Sequence, residues 1–106
     1  MANVCTNRLF LATKNKQLRE NLIEMMCESF YCSDVNEFDN GEIFNCEMIF
    51  DSKWTFPKEK MEELTKELPE ENDLFIRVVS EEFQNEYIGF HIYTDGEWCD
   101  KLADKY

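Results

Sequence analysis

One histidine, five cysteines and several pairs of adjacent carboxylates are the side chains of this 106-residue sequence that could do chemistry. His91 lies in EYIGFHIYTDGEW, a run that alternates as a strand does. As a general base it needs a nucleophile or carboxylate held within hydrogen-bond reach. Cys5 and Cys99 could be proposed for that role, and no spacing selects either. Tyr87 and Tyr93 flank His91 at even spacing, so the expectation is a surface histidine packed between two tyrosines. Glu62/Glu63 and Glu70/Glu71 are neighbours in sequence and diverge on a helix, which is no geometry for an acid–base dyad. Phosphate-loop, dinucleotide and nucleophile-elbow signatures do not occur. The residues therefore point away from an enzyme, with no catalytic residue and no cofactor assigned.

The cysteines stand at 5, 27, 32, 46 and 99, an odd number without a C-x-x-C pair. Cys27 and Cys32 lack the second pair that a zinc site of that kind uses, so no metal is expected. Cys27 reads as lying beside a helical core stripe, and Cys46 alternates with core residues. Both suit small buried apolar groups. MANVCTNRLFLATK has neither the basic start nor the long apolar stretch of a signal peptide. No apolar run approaches the roughly 20 residues that span a bilayer. The expectation is a cytoplasmic protein with reduced thiols.

The elements that must position these groups follow from periodicity. Val, Leu, Phe and Thr in residues 3–12 suit a first strand. In NKQLRENLIEMMCESF, Leu18, Leu22, Met25, Met26 and Phe30 recur at helical spacing, with Arg19, Glu20, Glu24 and Glu28 opposite and Asn15 as N-cap. Asp39-Asn40-Gly41 signals a hairpin. Its second arm alternates Phe44, Cys46, Met48 and Phe50 with Asn45, Glu47 and Asp51, and its first arm, around Ser33–Phe38, reads as a short edge strand. Trp54 and Phe56 lead to Pro57, which fits a first helical turn. Met61, Leu64 and Leu68 form that helix's core stripe, and Pro69 stops it. LFIRVV (74–79) and residues 87–94 read as strands. In the last, Ile88, Phe90 and Ile92 are expected to face the helices, leaving Tyr87, His91 and Tyr93 on the free face. The tail DGEWCDKLADKY reads as frayed or as a short terminal helix. The order β-α-β-β-α-β-β predicts one α+β domain over residues 1–106, a two-layer sandwich with both helices on one face of a mostly antiparallel sheet. It contains the ferredoxin-like order.

Nine phenylalanines and 43% hydrophobic residues supply a core and argue against disorder. The net charge of −12 is uneven: residues 1–58 carry nine acids against six bases, and 59–106 carry fourteen against five. Such a balance disfavours nucleic acid, whose affinity rests on neutralising phosphates, and anionic membrane surfaces alike. It favours encounter with a basic partner. Glu62, Glu63, Glu70, Glu71, Glu81, Glu82 and Glu86 mark an acidic band, and with Tyr87, His91 and Tyr93 they are the candidate protein-binding residues. The plain alternatives are a solvated helix face, since Lys58, Lys60 and Lys66 are interleaved, and aromatic cross-strand pairs that only stabilise the sheet.

Three blocks carry a family resemblance. MANVCTNRL is similar to the MANWCxNxL start of the YubB-like, ferredoxin-like family of phages, plasmids and conjugative elements. An aromatic strand ending in SKWTFP, followed by a helix, LP and a strand, resembles a second block; EYIGFHIYTDGEW resembles the final hairpin. The chain departs at Val4, where the family has Trp, and keeps only Pro57 of a proline pair. The resemblance implies the ferredoxin-like fold and a mobile-element origin, with Trp54 and Pro57 as fold-determining residues. It brings no catalytic or binding residue, because the family has no established activity.

The expectation is thus a non-enzymatic accessory protein of a mobile genetic element that binds another protein, with homo-oligomerisation open. The alternative is an acidic inhibitor or nucleic-acid mimic that binds a basic nuclease or DNA-binding protein.

Overall fold

A computed structural model describes residues 4–69, 72–82, 84 and 87–105, the stretch 101–105 through its backbone alone. The elements are β1 (Val4–Thr13), α1 (Lys16–Ser29), β2 (Cys32–Asn40), β3 (Ile43–Lys53), α2 (Lys58–Lys66), β4 (Phe75–Glu82), β5 (Tyr87–Thr94) and β6 (Glu97–Lys105). The fold is α+β: two helices and an open, antiparallel six-stranded sheet in the order β2-β3-β1-β4-β5-β6. The tail read as frayed or helical is strand β6, paired with β5 along its length.

Alternation in the central strands separates two faces. Cys5, Asn7, Leu9 and Leu11 of β1, Cys46, Met48 and Phe50 of β3, and Ile76, Val78 and Ser80 of β4 are buried on one of them. Leu18, Leu22 and Met26 of α1 and Met61 and Leu64 of α2 complete the same cluster, so both helices cover this face. Thr6, Arg8, Phe10, Ile49, Arg77 and Val79 point the other way, half-buried or exposed. Burying one face of a sheet in this manner fixes strand register, because a one-residue slip would exchange the two sets.

Local chemistry accounts for most boundaries. The Asn15 side chain accepts from the Leu18 N–H at 3.1 Å and caps α1 as expected. Arg19, expected on the wet side of that helix, is instead buried at 3% exposure. Its Nη1 donates to Asp39 Oδ1 at 2.7 Å and to the Asn45 carbonyl at 3.2 Å, and its guanidinium lies 5.4 Å from the Phe44 ring centroid. A long charged side chain can bury its stem when its head finds such partners. Asn40 pairs with Ile43, so the hairpin turn is Gly41-Glu42, with Gly41 at φ +66°. The preceding arm is a nine-residue edge strand, longer than expected, interrupted by a bulge between Ser33 and Asn36 where Asp34 takes φ +50°. Trp54, at φ +69° and 47% exposed, makes the corner that leads to Phe56 and Pro57. Pro57 directly precedes the first helical residue of α2, and Leu68 packs on the core just past the helix end.

Candidate functional site

β5 reverses the expected facing. Val78 pairs with His91 and Ile76 with Tyr93, which puts His91 and Tyr93, each 3% exposed, under the helices. Tyr87 and Gly89 share that face, while Ile88, Phe90 and Ile92 are half-buried on the open one. Tyr87, His91 and Tyr93 are therefore not a free aromatic face. Both sets of side chains in YIGFHIYT alternate, and hydropathy favours the Ile/Phe set for the interior. The polar tips of the other set are instead satisfied inside, which removes the cost of burying them.

That satisfaction is specific. His91 Nδ1 is 2.6 Å from Asp100 Oδ1 of β6, so Nδ1 carries a proton and donates it to the carboxylate. Nε2 is 3.4 Å from the Tyr87 hydroxyl, which also accepts from the Phe56 N–H at 3.4 Å. The imidazole stacks on Phe56 with centroids 3.8 Å apart. Burial pushes the Tyr87 phenol above its ordinary value, partly offset by the Phe56 N–H. Beside this chain, Asn7 Nδ2 donates to the Phe50 carbonyl at 3.1 Å and to Ser52 Oγ at 2.9 Å, and Ser80 Oγ donates to Asn7 Oδ1 at 2.6 Å. Neither of the two hollows described below is lined by His91. The network clips β6 and the entrance to α2 onto β5.

The acidic candidates among the described residues lie on different elements. Glu62 and Glu63 lie on α2, half-buried and exposed respectively. Glu81 is on the open face of β4, and the next residue, Glu82, points to the helix side at 3% exposure. Its Oε1 accepts from the Gln84 N–H at 3.0 Å. Glu70, Glu71 and Glu86 lie outside the described residues. Near Glu63, a shallow hollow lined by Phe56, Pro57, Lys58, Glu59 and Lys60 alternates its charges.

Among the thiols, Cys5 and Cys46 are buried as small apolar groups, but Cys27 and Cys99 are exposed. Burial pushes Cys46 up to about 11, and burial with the neighbouring Cys27 pushes Cys32 up to about 12. Among the described residues no three His, Cys, Asp or Glu side chains converge as metal ligands. No helix among them is long and apolar enough to cross a membrane.

A feature that periodicity does not reveal lies on the open sheet face. Across β3, β1, β4 and β5 the register aligns Ile49–Arg8–Val79–Phe90, and beside it Glu47–Phe10–Arg77–Ile92. Arg8, Phe10, Ile49, Arg77, Val79 and Phe90 line a hollow of about 480 Å³, with Glu47 and Asp34 also on its wall. That volume is within the range of small binding sites. The Arg77 guanidinium sits 5.0 Å from the centroid of Phe10, which packs between Phe38 and Phe75 at 6.4 and 6.3 Å. Arg8 and Arg77 are two of only three arginines in the chain, and both are exposed here. The available signal was a lone cation inside each of two apolar strands, TNRLFLA and LFIRVVS.

No protein-family model, no curated protein and no solved structure matches the chain.

Proposed function

We propose that the chain is a non-enzymatic protein-binding module of the accessory type carried by phages, plasmids and conjugative elements, docking its partner on the open sheet face. The carrying observation is that face itself. Phe10, Ile49, Phe75, Val79, Ile88, Phe90 and Ile92 are half-buried there, and the described helices pack on the opposite side. Apolar and aromatic side chains with arginine, few lysines and a charged rim are the composition of an interface centre. The strand order β2-β3-β1-β4, with helices after β1 and β3, supports a ferredoxin-like core extended by β5 and β6 along the β4 edge. The resemblance to the YubB-like family supports the mobile-element origin, and five unpaired cysteines suit a reducing, cytoplasmic setting.

The acidic-inhibitor reading draws on Glu59, Glu63 and Glu67, exposed along α2 and just past its end. It is the weaker reading, because Lys58, Lys60 and Lys66 are exposed among them. One comparison decides between the two. Immobilised wild type, an Ile49→Lys/Val79→Lys variant and a Glu62→Lys/Glu63→Lys variant are used to capture partners from host lysate at low and high salt, with folding of each checked by circular dichroism. A partner lost only by the open-face variant supports docking there. A salt-sensitive partner lost only by the helix variant replaces it with the inhibitor reading.

A further inference from the structure

We infer that the hollow around Arg8 and Arg77 is an anion-recognising subsite of that docking face, built for a carboxylate-bearing but otherwise apolar peptide segment of the partner. The inference rests on the docking reading and names the partner's chemistry. Net charge by itself would select a basic partner; the local arrangement selects the opposite.

Among the described residues, neither guanidinium has a carboxylate within 4.0 Å, although the chain carries 23 acidic residues. By contrast, the third arginine, Arg19, is paired with Asp39. Arg77 has a ring face beneath it: it lies over Phe10, and Phe10 packs between Phe38 and Phe75. A cation held on a ring face loses little freedom when it engages an anion. Arg8 pairs across the strands with Val79, and Phe10 with Arg77, so the two arginines are diagonal neighbours. That diagonal places them about 7–8 Å apart, a separation from which two long side chains converge on one anion. Arginine forks bind carboxylates through paired N–H···O bonds. Ile49, Val79 and Phe90 give the flanking side chains an apolar floor.

Glu47 and Asp34 on the same wall set the limit on charge. A carboxylate brings one negative charge, and a phosphate nearly two at neutral pH. The repulsion from these residues and from the −12 chain therefore falls more heavily on a phosphopeptide. A second copy of the chain would bring another −12 to the contact, which favours a distinct partner with few charges beyond the one recognised.

The test is a random-peptide display selection on the whole chain, followed by fluorescence anisotropy with the selected peptides. Enriched peptides are expected to carry one Asp or Glu between aliphatic or aromatic residues. Arg8→Gln and Arg77→Gln should each weaken them about ten- to a hundredfold, the range of hydrogen bonds to charged groups. Glu47→Gln should tighten them. Unchanged far-ultraviolet dichroism confirms that the variants fold. Selection of basic peptides, of none at all, or of acidic peptides insensitive to both arginines overturns the inference, as does tighter binding of a phosphoserine version. Neutral apolar peptides that Val79→Lys abolishes would overturn the anion subsite while leaving the docking face standing. A dimer in sedimentation that Arg8→Glu dissociates would give the face to a second copy instead.

Discussion

The imidazole of His91 lies flat on the ring of Phe56, their centroids 3.8 Å apart and their planes 14° apart. Phe56 precedes α2, and His91 is also bonded to Asp100 of β6, so one stack joins the helix entrance to two strands. Trp98 of β6 adds a second tie, donating from Nε1 to Thr65 Oγ1 of α2 at 3.1 Å. Three sequence-distant segments are thereby tied together around His91, a side chain that hydropathy alone would have left outside.

Gly89 is what lets the network close. A Cβ built there would lie 2.5 Å from both His91 Nε2 and the Tyr87 hydroxyl. Gly89→Ala should therefore cost about 1–3 kcal/mol, the usual penalty for overpacking a filled interior. Urea unfolding measures it. Adding Tyr87→Phe, which removes the hydroxyl, one of the two clashing polar groups, should recover part of the loss; strictly additive effects would show that the two residues are not coupled.

The Arg19–Asp39 pair predicts an asymmetry between its two ends. Asp39→Ala strands a guanidinium whose side chain is 4% exposed, whereas the carboxylate is 53% exposed and shares Nη1 with the Asn45 carbonyl. That exposure and sharing moderate the cost to about 1–2 kcal/mol, below that of breaking a fully buried pair. Arg19→Met, which removes the charge while keeping an apolar stem over Phe44, should cost less than Asp39→Ala. Thermal unfolding of the two variants side by side reads the difference.

Thiol labelling should separate the cysteines by depth. Cys27 and Cys99 are exposed and should react with a disulfide reagent in the folded protein at neutral pH, whereas Cys5 and Cys46 are fully buried and should react only on unfolding. The raised thiols also fix a sign. Cys5, Cys32 and Cys46 stay protonated in the fold above the pH at which the unfolded chain ionises them, near 9. The unfolded state then binds fewer protons, so stability should fall as pH rises beyond about 9.

Asp73 gives the acid side. Its carboxylate accepts from the Thr13 hydroxyl at 2.5 Å and the Lys14 N–H at 2.7 Å. The Thr13 hydroxyl above all holds its carboxyl below the ordinary 3.8. A depressed carboxylate contributes stability above its unfolded pKa and loses it as pH falls through the folded value. Asp73→Asn should accordingly destabilise the protein at neutral pH and flatten its loss of stability below about pH 4, as measured by melting temperature across a pH series.

The helices, the hairpin and most core residues were legible along the chain, because each rests on a local signal. Asn15 caps α1 through a bond three residues away, Met61 and Leu64 recur within one helix, and Cys46, Met48 and Phe50 alternate against clearly polar neighbours. Which face of β5 is inside was settled by long-range packing. Its two alternating sets are both able to pack, and the choice falls to partners far along the chain: Val78 across the sheet, Phe56 before α2 and Asp100 on β6. The same holds for the arginines. Arg8 and Arg77 stand 69 positions apart in sequence and become neighbours because β1 and β4 pair in the register that sets Arg8 against Val79 and Phe10 against Arg77. Periodicity can assign a side chain to one of two faces, but only strand pairing says which side chains meet there and what they leave unpaired.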